Sequence, residues 1–370
     1  MKILLLSGAN SPHTLNWANS LSEAGCDVYV ASQHEATAGY NPDINMICLP
    51  SNGVTGFLKS VCILRKLLKK IQPDIVNAHR AIRYSLLARL INYRPFVISV
   101  WGSDVYDFPY TSKLHHAFVR SNLMAADAVA STSLCMAKQT RVLAPALKEI
   151  AITPFGVDMT AYADLQPASA ENNKQIIIGT VKTMAHKYGI DTLLEAFALL
   201  METDTAKEQG LTDRLVLRLV GDGPQTDEYK KLAITLGIQN KVIFVGRVPH
   251  ADVPNELAKL DIYVALSRLD SESFGVAIIE AGAAGRPVLV SDAGGLPEVT
   301  LQDKTGLIVP RENPQAAAEA IEKLILDPEL RTRMGINGHN HVKENYSREV
   351  CTQKMIDFYH EIIAKQPKEY

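Results

Sequence analysis

Glu272 and Glu280 stand with seven residues between them in the run Glu272-Ser-Phe-Gly-Val-Ala-Ile-Ile-Glu280-Ala, across what reads as a loop-to-helix junction. The preceding Asp261-Ile-Tyr-Val-Ala-Leu-Ser267 has the apolar continuity of a buried strand. Gly275 marks a tight turn, and Val276 to Ala281 is apolar enough to open a packed helix. The carboxyl end of a strand is where open α/β sheets bind ligands, and a helix N-terminus offers free N–H groups and a positive dipole to a diphosphate. On that placement Glu272 faces a sugar at the turn and Glu280, further into the helix, reaches ribose hydroxyls. Each charge-assisted bond would contribute roughly 1.5–3 kcal/mol. Two solvated glutamates on a surface helix would show the same spacing, so the pair takes its meaning from its context.

The elements around it belong to a chain of 370 residues, beyond the size at which one core usually keeps growing, so two domains are expected. Hydrophobic residues at 47% and charged residues at 21% are ordinary for a globular protein, and a net charge of -2 argues against bulk attraction to nucleic acid. Residues 1–165 carry 15 Lys and Arg against 11 Asp and Glu, the remainder 23 against 29. A mildly basic first half fits an anionic partner such as a membrane surface, although a bias this small also arises by chance. The five cysteines are odd in number and widely spread, which indicates neither a disulfide framework nor a zinc site and implies a reducing, cytoplasmic setting. The opening Met-Lys-Ile-Leu-Leu-Leu reads as a first buried strand rather than a signal peptide. No run approaches the roughly 18 apolar residues of a membrane span, so any membrane contact is expected to be peripheral.

Strand-like and helix-like segments alternate through the first half: Lys2–Ser7, a helix over Thr14–Ala24, Asp27–Ser32, a helix over Gly56–Ile71, Asp74–His79, Pro95–Trp101, Ala128–Ser131 and Ala151–Pro154. This predicts a doubly wound parallel sheet. Periodicity is lost over 156–173 and restarts with strands at Gln175–Val181, Arg214–Gly221, Lys241–Gly246, Asp261–Ser267, Pro287–Ser291 and Gly306–Val309, with helices at Ile190–Leu200, Glu228–Leu236, Gly275–Gly285 and Pro314–Leu326. The predicted class is α/β, two Rossmann-like domains facing across a cleft. The expected boundaries are 1–165, 166–346 and a terminal helix, 347–370, packing back on the first domain.

On these motifs the sequence resembles the retaining glycosyltransferases of GT-B fold, the family 4 group that includes bacterial polysaccharide and phosphatidylinositol mannosyl transferases. The family's E-x-F-G-x-x-x-x-E-A pattern is matched by Glu272, Phe274, Gly275, Glu280 and Ala281. Gly294-Gly-Leu-Pro-Glu298, Thr305-Gly-Leu-Ile-Val-Pro310, Val220-Gly-Asp-Gly-Pro224 and Val242-Ile-Phe-Val-Gly-Arg247 follow the family's pattern as well. The resemblance implies a nucleotide-sugar donor held by the second domain, an acceptor held by the first, transfer with retained anomeric configuration, and no metal or other cofactor. Leaving-group charge must then be met by cationic side chains and helix-end N–H groups. In Gly179-Thr-Val-Lys-Thr-Met-Ala-His-Lys-Tyr-Gly189 the resemblance assigns Lys187 to the diphosphate, with Lys182 in place of the family's arginine. That change keeps the charge and loses the planar fork. It also implies donor contacts at Gly246, Arg247 and Val248 for the base, and at Ser273, Phe274, Gly275 and Glu280, with Glu272 and Lys187 catalytic. A UDP-sugar is the expected donor.

The first half matches less closely. Ser7-Gly-Ala-Asn-Ser-Pro-His-Thr14 lacks the double glycine of many relatives, though Gly8 allows close approach to the donor and His13 could touch donor or acceptor; a helix-capping loop reads equally well. In Val100-Trp-Gly-Ser-Asp-Val105, Trp101 stands where relatives have histidine and offers a wall for sugar stacking, or simply core. Asp104 is a candidate catalytic base for an acceptor hydroxyl, against a role in helix capping, with the departing phosphate as the alternative base. His79 matches a common family histidine and is a candidate acceptor contact, or an interior histidine. Lys59, Lys66, Lys69 and Lys70 flank an apolar stripe as in an interfacial helix, which a sheet-covering helix would also show, and Lys113–Arg120 is a second candidate membrane contact. The expected function is transfer to a saccharide acceptor, lipid-linked, in capsule, exopolysaccharide or O-antigen synthesis. A small soluble acceptor, or a catalytically silent nucleotide-sugar-binding subunit, are the alternatives.

Overall fold

The computed structural model describes every residue except Asn52, Lys148, 168–174, Gln209 and 366–370. Two compact units emerge: Met1–Gly156 together with the segment from Arg348, and Val157–Ser347.

The first unit is built on seven parallel strands, β1 (Lys2–Leu6), β2 (Asp27–Ser32), β3 (Asn45–Cys48), β4 (Ile75–His79), β5 (Phe96–Val100), β6 (Ala128–Ser131) and β7 (Ile150–Ile152), in the order β3-β2-β1-β4-β5-β6-β7. Ile3, Leu4, Leu5 and Leu6 are all fully buried, as a central parallel strand covered on both faces requires. Each such side chain contributes about 1.5–3 kcal/mol of burial. Helix Pro12–Glu23 returns the chain from β1 to β2, and helix Gly53–Ile71 buries Val61, Leu64, Leu68 and Ile71 on the way to β4. The strand β3 went unpredicted because it is a short edge strand with mostly exposed residues, lacking the apolar run that marks its neighbours. Helices Arg83–Ile91, Lys113–Ala125 and Leu134–Leu143 complete the crossovers.

The second unit holds six parallel strands, β8 (Ile176–Val181), β9 (Leu215–Val220), β10 (Val242–Gly246), β11 (Ile262–Ala265), β12 (Val288–Ser291) and β13 (Gly306–Val309), ordered β10-β9-β8-β11-β12-β13. Both sheets therefore reverse direction beside their first strand, between β1 and β4 and between β8 and β11. Such switch points part the loops at the strands' carboxyl ends and open a ligand site.

The division falls at 156/157 rather than 165/166. Val157 N–H donates to Tyr346 O (2.9 Å), Val157 bridges Ser347, and the guanidinium of Arg286 donates to Gln166 O, so this stretch is fastened to the second unit. The expected linker over 156–173 lies partly outside the described residues. Helix Arg348–Ala364 packs on helix Pro12–Glu23, and Tyr359 Oη accepts from Asn77 Nδ2 of β4 at 2.6 Å, which ties it into the first unit.

Candidate functional site

In the second unit, the chain leaves β8 at Lys182 and turns at His186–Tyr188 before helix Ile190–Glu202. Across the switch point, the segment after β11 carries Glu272, and the two meet. Lys182 Nζ lies 2.5 Å from Glu272 Oε1, with each side chain only 11% exposed. Burial opposes the charge on Lys182, but Glu272 and Tyr263 outweigh it, and its ammonium titrates above the usual lysine range. Lys182 and Lys187 each bring Nζ to 4.8 Å from the Tyr188 ring centroid, so one aromatic ring gathers both cations. Tyr188 escaped the sequence reading, since nothing local distinguishes a tyrosine that serves two lysines.

Gly275, at φ 98°, is the left-handed turn into helix Val276–Ala283, as its sequence position suggested. Gly294 and Gly295 explain their own motif. A Cβ on Gly294, itself at φ 51°, would stand 2.3 Å from Glu272 O, and one on Gly295 would stand 2.4 Å from Ser273 O. The loop that holds Glu272 and Ser273 thus lies directly on the backbone of the loop after β12, and Gly295 N–H donates to Glu272 O at 3.0 Å. Phe274 is buried, with its ring edge-on to Tyr346 at 5.9 Å, so its side chain anchors the loop to the core.

Glu280 lies one helix turn deeper. Burial raises its carboxyl above the ordinary range, against the pull of His250 and Lys182. His250, from the loop after β10, places Nε2 at 3.7 Å from Glu280 Oε1. Beside Lys182 a cavity of about 590 Å³ is lined by Thr183, Gly221, Asp222, Gly223, Arg247 and Val248, bringing the predicted Arg247 and Val248 next to the Val220–Pro224 motif. Gly246, at φ 85°, turns the chain toward them. Among the described residues, no group of three or more His, Cys, Asp or Glu side chains is arranged to hold a metal ion.

In the first unit the predicted residues also gather at a switch point. His13 stacks on Phe155 (4.2 Å between centroids, 14°) and meets Trp101 edge-on at 5.6 Å, while His79 tilts against Trp101 at 4.4 Å. The buried indole N–H of Trp101 has no hydrogen-bond partner. Gly8 lies in the turn after β1, where its carbonyl accepts from Ser11 N–H at 3.0 Å.

Two expectations need correction here. Asp104 is fully buried. Its Oδ2 accepts from Ala81 N–H (2.8 Å) and its Oδ1 from Trp101 N–H (3.1 Å), so the carboxylate staples the loops after β4 and β5 and is not an exposed base. Burial raises its pKa, opposed by those two amides and by Arg80. His79 is sealed as well, with Nδ1 2.9 Å from Ser7 Oγ, which in turn lies 2.7 Å from Thr14 Oγ1. Burial, then His13, push its pKa down to about 3, so its ring is neutral and holds loops together without touching an acceptor. Trp101 is a local partner of Asp104, but Ala81 and Ser7 lie far in sequence from Asp104 and His79, so the burial of neither could be read locally.

Comparisons with known proteins bear on the family and the fold. Residues 163–341 match the family described as glycosyl transferases group 1, and residues 2–133 match glycosyl transferase 4-like. The chain is 29% identical over 216 residues to a GDP-mannose-dependent alpha-(1-6)-phosphatidylinositol monomannoside mannosyltransferase of Mycobacterium tuberculosis, covering 55% of this chain and 54% of that one. It thus spans about half the length of that relative. It is 25% identical over 300 residues to N-acetyl-alpha-D-glucosaminyl L-malate synthase of Bacillus anthracis, covering 78% and 75%. Among solved structures, a sucrose-phosphate synthase from Thermosynechococcus elongatus superposes with a TM-score of 0.80 over 99% of this chain and 100% of that one, at 20% identity, a likeness of fold.

Proposed function

Because the chain belongs to the family 4 glycosyltransferases of GT-B fold, we propose that it moves a hexosyl group from a nucleoside-diphospho-sugar to a hydroxyl of a saccharide acceptor, with retained anomeric configuration and without a metal. One observation carries the reading: Lys182, Lys187 and Glu272 converge around Tyr188 at the switch point of the second sheet, beside a cavity of about 590 Å³. Two cations and one carboxylate suit a diphosphate joined to a polyhydroxylated ring. Lys187 neutralises the departing diphosphate, and Glu280 with His250 accepts and donates toward the ribose. The bond from the anomeric carbon to the β-phosphate oxygen breaks as the acceptor oxygen bonds on the same face. The acceptor's proton passes to the departing phosphate, since Asp104 is sealed away from it. Transfer is expected to persist in EDTA.

The mannosyltransferase relative acts with GDP-mannose, which sets guanine beside the uracil expected from sequence as a base for this chain's donor. For the acceptor we propose a lipid-linked saccharide. Helix Gly53–Ile71 exposes Val54 (76%) and Leu58 alongside Lys59, Lys66, Lys69 and Lys70, and Leu114 of helix Lys113–Ala125 is 82% exposed. These faces suit a peripheral contact with anionic lipid, and flotation with phosphatidylglycerol vesicles tests it. Among the described residues, no helix is long and apolar enough to cross a membrane.

The deciding experiment is thermal unfolding against UDP, GDP, ADP and dTDP. At about 100 times its dissociation constant the donor's nucleotide adds roughly 2.7 kcal/mol to the unit that binds it, a rise of several degrees. One base raising the midpoint supports the reading. No shift with any of the four sinks it.

A further inference from the structure

Two arginines that no motif singled out tie together the loops of the second unit. Arg311 follows β13, and its guanidinium makes four hydrogen bonds. Nε donates to Asp292 Oδ1 (3.0 Å), Nη1 to Asp270 Oδ1 (2.9 Å) and Arg268 O (3.0 Å), and Nη2 to Asp292 O (2.8 Å). Asp270 also accepts from Gly294 N–H at 3.2 Å. One side chain therefore joins the loops after β11, β12 and β13. Arg268 reaches the other way: Nη2 donates to Asp191 Oδ2 (2.6 Å) and Thr192 Oγ1 (3.1 Å), Nη1 to His186 O (3.2 Å), and its backbone N–H donates to Lys187 O (2.8 Å). Arg268 thus holds the turn that carries Lys187 against the loop that carries Glu272.

The stability worth of this network is small for its extent. Arg311, Asp270 and Asp292 are 32%, 63% and 52% exposed, and ion pairs so placed are screened by solvent and contribute little to stability. What the network supplies is geometry, since a planar fork with several simultaneous partners admits one arrangement of the loops. Glu312, next to Arg311 and 3.2 Å from Arg268 Nε, sits at φ 55°, a left-handed conformation that a residue with a Cβ adopts at a cost. That backbone turn aims Arg311 and Glu312 back over the neighbouring loops.

We propose that Arg311 and Arg268 are positioning residues for sugar transfer: Arg311 fixes the loop bearing Glu272 and Ser273 against the donor's sugar, and Arg268 fixes the turn bearing Lys187 against the diphosphate. The inference rests on the nucleotide-sugar reading above. The two arms act on different parts of the donor, so they separate in binding experiments. Of these two loops, a nucleoside diphosphate engages the turn that Arg268 holds, whereas the sugar engages the loop that Arg311 holds.

The test uses the full chain with Arg311→Ala, Arg311→Lys and Asp191→Asn, and Lys323→Ala as a control that removes only the exposed contact with Asp303 (3.4 Å). Hydrogen exchange of 268–275 is measured by mass spectrometry, and affinity is measured for UDP, GDP, UDP-glucose, UDP-N-acetylglucosamine and GDP-mannose. For Arg311→Ala we expect exchange of that segment to rise about tenfold with the rest of the protein unchanged. Affinity for the matching nucleotide-sugar should fall about fivefold or more, and for its nucleoside diphosphate by less than about twofold, since a misplacement near 1 Å is what such contacts tolerate least. Lysine should not restore either value. Asp191→Asn should weaken nucleoside diphosphate and nucleotide-sugar alike. Unchanged exchange in Arg311→Ala, rescue by lysine, or a parallel loss of both ligands in Arg311→Ala overturns the positioning role. Wild-type protein that binds none of the five ligands overturns the nucleotide-sugar reading instead, and the exchange data then still decide whether Arg311 holds the loop.

Discussion

Lys182 and Glu272 should behave as a coupled pair whose halves are each worth more than the whole. At 2.5 Å the gross attraction is about 6–7 kcal/mol for an effective dielectric near 20. Burying each ion costs several kcal/mol in return, so replacing both by apolar groups should leave the unit within about 1–2 kcal/mol of wild type. Removing one partner strands the other at a site 11% exposed, and should cost about 3–5 kcal/mol. The cycle compares Lys182→Met, Glu272→Met and the double variant by urea unfolding. Both tryptophans, Trp17 and Trp101, belong to the first unit, so their emission should follow the wild-type curve while far-UV circular dichroism reports the loss in the second. A coupling of about 4 kcal/mol or more is expected. If the single losses add to within about 0.5 kcal/mol, the two side chains do not form a buried pair and the site's electrostatic description is wrong.

Three further outcomes follow from the same geometry. Glu280→Ala should weaken binding of the donor's nucleotide about tenfold or more by loss of charge-assisted hydrogen bonds, read by calorimetry, whereas Glu272→Gln should slow transfer more than it weakens binding. Gly294→Ala, which forces a Cβ into Glu272 O, should lower nucleotide-sugar affinity about tenfold in whatever fraction folds, and wild-type affinity would contradict the packing of these loops. His79 is held neutral, with its pKa lowered to about 3, so between about pH 6.5 and 3 the unfolded chain binds the extra proton. Its contribution makes the first unit less stable as pH falls through that window, by up to about 1.4 kcal/mol per pH unit, and His79→Gln should flatten the slope of tryptophan-monitored stability.

Much of this protein is legible locally. Alternating apolar runs and amphipathic segments mark twelve of the thirteen parallel strands, because strands buried on both faces write continuous Val, Ile and Leu into the sequence. The missing one, β3, is an exposed edge. Gly275, Gly294 and Gly295 stand where turn geometry or close backbone approach restricts the residue type at the position itself, whereas Glu272 and Glu280 were singled out by their spacing and the family pattern. Phe274, which the resemblance places at the donor, also packs its ring edge-on against Tyr346, a contact between residues far apart in sequence that no local signal shows.

Local pattern specifies most of the strands, their order and the inventory of cations and carboxylates. The tertiary structure decided which of these meet. Lys182 finds Glu272 at a separation of 90 residues because the strand order sets β8 beside β11, and Arg311 finds Asp270 at 41 because β11, β12 and β13 lie side by side in the sheet. Burial likewise turned Asp104, a candidate base, and His79, a candidate acceptor contact, into supports, since solvent access and the protonation it permits are properties of the packed sheet and its loops. Periodicity is a local signal, while charge pairing and desolvation depend on residues that the chain brings together from afar.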